Sequence, residues 1–220
     1  MRVLIAAIVL LAAAGCSTPP FPPAEQVSLD SVAPREMVER FRESMPEQFR
    51  VMSSIVFEFS WNKVTALGVI EVDRRLGTFT AVAMTPLGLK LFELSGSGEQ
   101  VTQHFVFEAF AKRGNASAAI GEDIRRIYFG LVPSADARVK RTQTRITFRE
   151  QAGAGVMEHV FGGAGGFLIE KRYSEDGVLV WRASYHTYTA AGGKAFPKGM
   201  VFENRRYGYR LIVTVKEVLA

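Results

Sequence analysis

The chain has 220 residues, 48% hydrophobic and 22% charged, with a formal net charge of +5, an ordinary globular balance that fits one domain. One cysteine, Cys16, excludes an internal disulfide and any cysteine-based metal cluster, and so mild a positive charge excludes a nucleic-acid footprint. Sixteen phenylalanines are the unusual feature: Phe has no polar group, so this many rings require a large core or an apolar cavity.

The chain opens with MRVLIAAIVLLAAAGC. Arg2 precedes an apolar run, Val3 to Ala14, that is too short for a bilayer span of roughly 20 residues. Its flanks suit a secretory signal peptide. Ala13-Ala14-Gly15-Cys16 resembles the lipobox of bacterial lipoproteins, which implies cleavage before Cys16 and acylation of that residue. Ala13 departs from the pattern, where leucine is commoner, and an ordinary signal peptide with an incidental cysteine is the competing reading. Ser17, rather than Asp, follows the cysteine, which by the same resemblance favours the outer membrane. Losing residues 1–15 removes Arg2 and leaves 26 basic against 22 acidic residues, a net charge of +4.

Residues 17–34 hold five of the nine prolines, the composition of an extended tether rising about 3.1 Å per residue. Pro34 is placed for a first helical turn, and Met37, Val38, Phe41 and Met45 share one helical face until Pro46 stops the helix. From Arg50 to Glu108 the period is two: Ile55, Phe57 and Phe59 alternate with Val56, Glu58 and Ser60. Turn residues break the pattern at Trp61-Asn62-Lys63, Asp73 to Gly77, Pro86-Leu87-Gly88 and Ser95 to Gly98, which predicts an antiparallel meander. Val64, Ala66, Ile70 and Val72 fall on one face with Leu67 and Val69 on the other, so the spacing predicts cover on both sides of part of the sheet. Asn115 caps a second helix, predicted from Ala116 to about Leu131, striped by Ile120, Ile124, Ile127, Tyr128 and Leu131. Strands return at 141–150, 156–161, 167–173, 178–188, 201–204 and 209–216, with Gly177 in a tight hairpin. Roughly ten strands are more than a flat open sheet holds without curling.

No sequence motif makes a convincing active site. Ser60 and Lys63 have the S-x-x-K spacing of penicillin-interacting enzymes but straddle a turn, where a helix start is needed. The glycines 162–166 precede a strand, not the helix of a phosphate loop, and read as a flexible connection. His104, His159 and His186 lie in separate strands with no metal-ligand spacing. Glu122 and Asp123 suit the dipole at the start of the second helix. Arg141, Arg145 and Arg149 form a basic alternation that reads as a solvated face, with headgroup binding the minor alternative.

Lipobox, Pro-rich tether, short helix, curled meander, internal helix and returning strands, in that order, resemble the outer-membrane lipoprotein carrier and receptor superfamily, LolA/LolB-like. The run Ala83 to Leu94, AMTPLGLKLFEL, is similar to a group of uncharacterised bacterial lipoproteins placed near it, and Phe196-Pro197-Lys198 with Tyr209 to Ile212 is similar to the family's final strands. The resemblance implies an incomplete β-barrel with helices as its lid and an apolar interior that takes acyl chains. Residues 1–15 are then a signal peptide, 16–34 the lipidated cysteine and tether, and 35–220 one half-barrel domain.

The expectation is therefore a mainly β protein, non-enzymatic, anchored by Cys16 to the periplasmic face of the outer membrane, and binding a lipid or acylated ligand without cofactor or metal. The alternative is a structural or assembly lipoprotein that binds an envelope protein, its interior filled. Alternation nominates Phe57, Phe59, Ile70, Met84, Phe92, Phe105 and Phe107 as the cavity lining.

Overall fold

The computed structural model describes residues 20–60, 62–108 and 115–219. Within them α1 spans Pro34–Ser44 and α2 Ala116–Tyr128. The strands are β1 (Gln48–Phe59), β2 (Asn62–Asp73), β3 (Thr78–Met84), β4 (Lys90–Ser97), β5 (Gln100–Val106) and β6 (Arg138–Arg141). They continue with β7 (Arg145–Ala152), β8 (Gly155–Gly162), β9 (Phe167–Glu175), β10 (Val178–Ala191), β11 (Lys194–Asn204) and β12 (Tyr209–Leu219).

All twelve strands form one antiparallel sheet in the order β5-β4-β3-β2-β1-β12-β11-β10-β9-β8-β7-β6. Two meanders meet at its centre, where β1 pairs with β12 from Phe59↔Tyr209 to Arg50↔Leu219. The edges β5 and β6 do not pair, so the barrel stays open. Both helices lie on one face, the inner face. Phe41 of α1 meets Phe161, Phe167 and Tyr188 at ring-centroid distances of 5.3–6.4 Å, and Tyr128 of α2 meets Phe49 at 6.1 Å.

Local chemistry explains these elements. Pro34 opens α1, and the Asn115 side chain accepts the Ala118 N–H at 3.2 Å to cap α2. The predicted helix to Leu131 stops at Tyr128, and Asp123, expected near its start, is buried in its second half. The turn expected over Ser95 to Gly98 is narrower: β4 runs through Ser97, the turn itself is Gly98-Glu99, and Gly96 is a slot for the Phe79 ring, whose Cε1 lies 2.1 Å from where a Cβ would stand. The glycines before β9 are a tight seat for α1 rather than a flexible connection. Gly166, at φ +61°, admits Met37, whose Cγ lies 3.0 Å from its Cβ position.

The predicted cover on both faces is absent among the described residues. Ala66, Ile70 and Val72 are buried on the inner face, but Leu67, on the outer face, is 45% exposed, as is Met52 at 47%. The outer face instead carries a lateral row of charge. Arg138, Arg149, Glu158, Arg172, Arg182, Glu203, Arg210, Glu58 and Lys63 are successive cross-strand partners from β6 to β2.

Residues 20–33, the tether of the sequence reading, lie against the domain. Phe21 stacks on His186 at 5.4 Å and covers Gly199 on the outer face. Leu29 is buried and donates its N–H to Gln143 O, and Arg141 holds the carbonyls of Asp30 and Val32. Cys16 and the signal segment lie outside the described residues.

Candidate apolar site at the open end of the inner face

The inner face divides along the strands. Toward the β10–β11 turn it is filled: Phe49, Val51, Ile146, Phe161, Leu168 and Phe196 are buried in one core with residues of both helices. The C-terminal turn of α2 enters this region with its last carbonyls unpaired by the helix, a situation that needs donors. The sheet supplies them. Arg74 Nε donates to Tyr128 O at 2.9 Å, Tyr185 Oη to Ile127 O at 2.8 Å and Lys171 Nζ to Phe129 O at 2.6 Å, and a His159 ring nitrogen lies 2.9 Å from Gly130 O. Three of these donors can carry the positive charge that a helix C-terminus favours. Burial pushes Lys171 down to about 7, aided by Arg74 and Arg126, and burial lowers His159.

Toward the β1–β2 and β11–β12 turns the same face is only half covered. Ile55, Phe57, Phe59, Phe92, Tyr209 and Leu211 are each half-buried, and Val64 is 38% exposed. Phe57 and Phe59 lie nearly parallel at 6.4 Å, and Phe57 meets Tyr209 at 5.4 Å. Beneath them Ala66, Ala83 and Leu91 form a small core of their own, bridged by Ile55 and Phe92. The one polar feature is a link to α2: Tyr209 Oη donates to Asp123, accepts from Asn204 Nδ2 at 3.1 Å, and so ties the helix to the shelf. Burial pushes Asp123 up to about 6 against the pull of Tyr209 and Arg126.

Of the nominated lining, Phe57, Phe59 and Phe92 lie on this shelf, and Ile70 is buried in the main core. Met84 stands on the outer face by the plain alternation of β3, opposite Leu67, and Phe105 is carried there by the bulge at His104 between Glu93 and Leu94 of the partner strand. Phe107, just past β5, is half-buried and donates its N–H to Leu91 O. Tyr209, Leu211 and Val64 were not nominated. Their signal was parity: they pair with Phe59 and Phe57 across β12 and β2.

The shelf is open rather than an enclosed cavity. Two depressions lie elsewhere: a groove of about 700 Å³ between Gln48, Arg50, Glu71, Asp73 and Thr80, and an outer-face niche of about 180 Å³ bounded by Arg50, Met52, Val69, Glu217 and Leu219. Among the described residues no group of His, Cys, Asp and Glu could hold a metal ion. Lys63 pairs with Glu58 at 2.7 Å, and His104 with Ser95 at 2.9 Å.

No family model and no curated protein matches this chain in sequence. Solved structures do match it in shape. A LolA superfamily protein from Nitrosomonas europaea superposes with a TM-score of 0.56 over 85% of this chain and 93% of its own, at 10% identity. A putative outer membrane lipoprotein-sorting protein domain from Vibrio parahaemolyticus gives a TM-score of 0.50 over 84% and 90%, at 8% identity. The open twelve-stranded antiparallel sheet with its helices on one face is, by this likeness in shape, a LolA-like fold.

Proposed function

We propose that this protein is a non-enzymatic binder of an acyl-chain ligand, anchored through a lipid on Cys16 to the periplasmic face of the outer membrane. The half-covered shelf of Phe57, Phe59, Val64, Phe92, Tyr209 and Leu211 carries this reading. Stacked rings without polar partners, left uncovered beside a filled core, favour an apolar guest. The lipoprotein-sorting description of a protein with this fold is consistent with it. The anchor rests on the lipobox-like sequence before Cys16.

A fluorescent fatty-acyl probe tests the site. Val64→Glu sets a charge on the shelf at a position 38% exposed, and it is expected to weaken probe binding by about tenfold or more while the melting temperature holds. Unchanged binding overturns the site. Cys16→Ala is expected to release the protein from the membrane fraction, and unchanged fractionation with a lipid-free mature mass overturns the anchor.

A second reading, a lipoprotein that binds an envelope protein, is favoured by the exposed outer-face strip of Met52, Leu67 and Leu219. It predicts that Met52→Asp disrupts function while probe binding is unaffected.

A further inference from the structure

The lateral charge row is balanced along most of its length. Arg172 bonds Glu158 at 2.7 Å and Glu170 at 3.1 Å, Arg182 bonds Glu203 at 2.7 Å, Arg210 bonds Glu58 at 2.6 Å, and Lys63 takes the other Glu58 oxygen. At its β6 end the balance fails. Arg138 and Arg149 are direct cross-strand partners with no acid between them. Arg149's other neighbour is Glu158, whose ion pair is with Arg172. Lys140, partnered with Thr147, and Arg145, partnered with Gly162, extend the same outer face. None of the four has an acidic partner within ion-pair distance among the described residues.

Like charges directly opposite in a sheet destabilise it, so the pattern is one that an anion from outside relieves. The path of the N-terminal segment suggests which. Phe21 sits on the outer face over His186 and Gly199, and Ala24 lies beside Gly163, the neighbour of the Gly162 that pairs with Arg145. Phe21 is five residue steps from Cys16, at most about 18 Å of extended chain. An acyl anchor at Cys16 therefore holds the outer face, and with it the β6–β7 flank, close to the bilayer surface.

We infer that Arg138, Lys140, Arg145 and Arg149 form a docking face for anionic lipid headgroups, which lays the outer face of the sheet on the bilayer and leaves the apolar shelf of the inner face turned away from it. The choice of a bilayer as partner rests on the anchored reading proposed above.

Full-chain protein is equilibrated with vesicles of phosphatidylcholine alone or with about 30 mol% phosphatidylglycerol, in about 0.1 M and about 0.5 M NaCl, and followed by sedimentation and by hydrogen exchange of the 138–149 amides. The anchor and apolar N-terminus bind both vesicles at both salts, so failure on neutral vesicles is a failure of the anchor alone. The docking face adds protection of 138–149 only on anionic vesicles, and high salt removes it. The variant R138Q/K140Q/R145Q/R149Q is expected to lose that protection and at least tenfold of the anionic preference, with its melting temperature kept. A bilayer partner is overturned by equal protection on the two vesicles. It is also overturned if poly-glutamate protects these amides and anionic vesicles do not, which assigns the face to an acidic protein.

Discussion

The two ends of the inner face are built from the same strands, yet they are finished differently. In β1 the residues at 49, 51 and 53 are buried, whereas those at 55, 57 and 59 are half-buried. The difference lies in what covers them. At the filled end, α1 and the last turn of α2 bring Met37, Phe41, Ile127 and Tyr128 onto the sheet, and Arg74, Lys171 and Tyr185 satisfy the helix carbonyls. At the open end α2 reaches the sheet through side chains instead, Asp123 to Tyr209 and Arg126 over the Trp181 ring. Stability is therefore concentrated at one end, and the proposed binding shelf lies at the other.

Replacing the same residue at each end puts this contrast to its hardest test. Phe161→Ala, in the filled end, is expected to cost about 3–5 kcal/mol in urea unfolding. Phe57→Ala removes a half-exposed ring and should cost about 1–2 kcal/mol, since less apolar area returns to water. Equal costs would erase the distinction.

The donors under α2 provide the next largest effect, read through pH. Lys171 is held down to about 7 in the fold, below its unfolded value. Between about pH 7 and 10 the unfolded chain keeps a proton that the folded chain has released, so this group makes stability rise with pH across that window. Below pH 7 both states are charged and the penalty for burying the ammonium is complete. Lys171→Met is expected to flatten the rise in chemical-denaturation profiles taken from pH 7 to 10. It should also lower stability at its upper end, where the Phe129 carbonyl is left without its donor.

At the open end the sign is opposite and the effect smaller. Asp123, raised to about 6, keeps its proton in the fold while the unfolded chain loses it. Its contribution to stability is complete below about pH 4 and fades as pH rises to about 6. Asp123→Asn should remove that decline while Asn still meets Tyr209. A decline that persists in the variant would place its source elsewhere.

Much of this architecture was legible because alternation and helical periodicity are local. The meander, the cap at Asn115, the Pro34 start of α1 and the Gly177 hairpin all follow from near neighbours in sequence. What escaped depends on partners far along the chain. The extra residue at His104 is a bulge, set by pairing rather than by composition, and it carried Phe105 to the outer face, while the face of Met84 was settled by its register against Leu67. Lys171 and Tyr185 read as ordinary strand residues, since nothing in their own strands reveals that a helix end docks 41 to 58 residues away. Gly96 read as a turn because a slot for a ring on the next strand leaves the same composition as a bend.

The central seam of the sheet joins the first strand to the last. β1 has no second partner until residues 209–219 exist, so during synthesis the apolar run Ile55 to Phe59 is an open sheet edge while almost the entire chain is being made. Closing so long a loop comes late and is slow, and an unpaired apolar edge is a template for association with other chains. A protein wired in this way keeps that edge unpaired until its last strand arrives, and loss of only the final dozen residues would split the sheet into two meanders, each with an exposed inner strand.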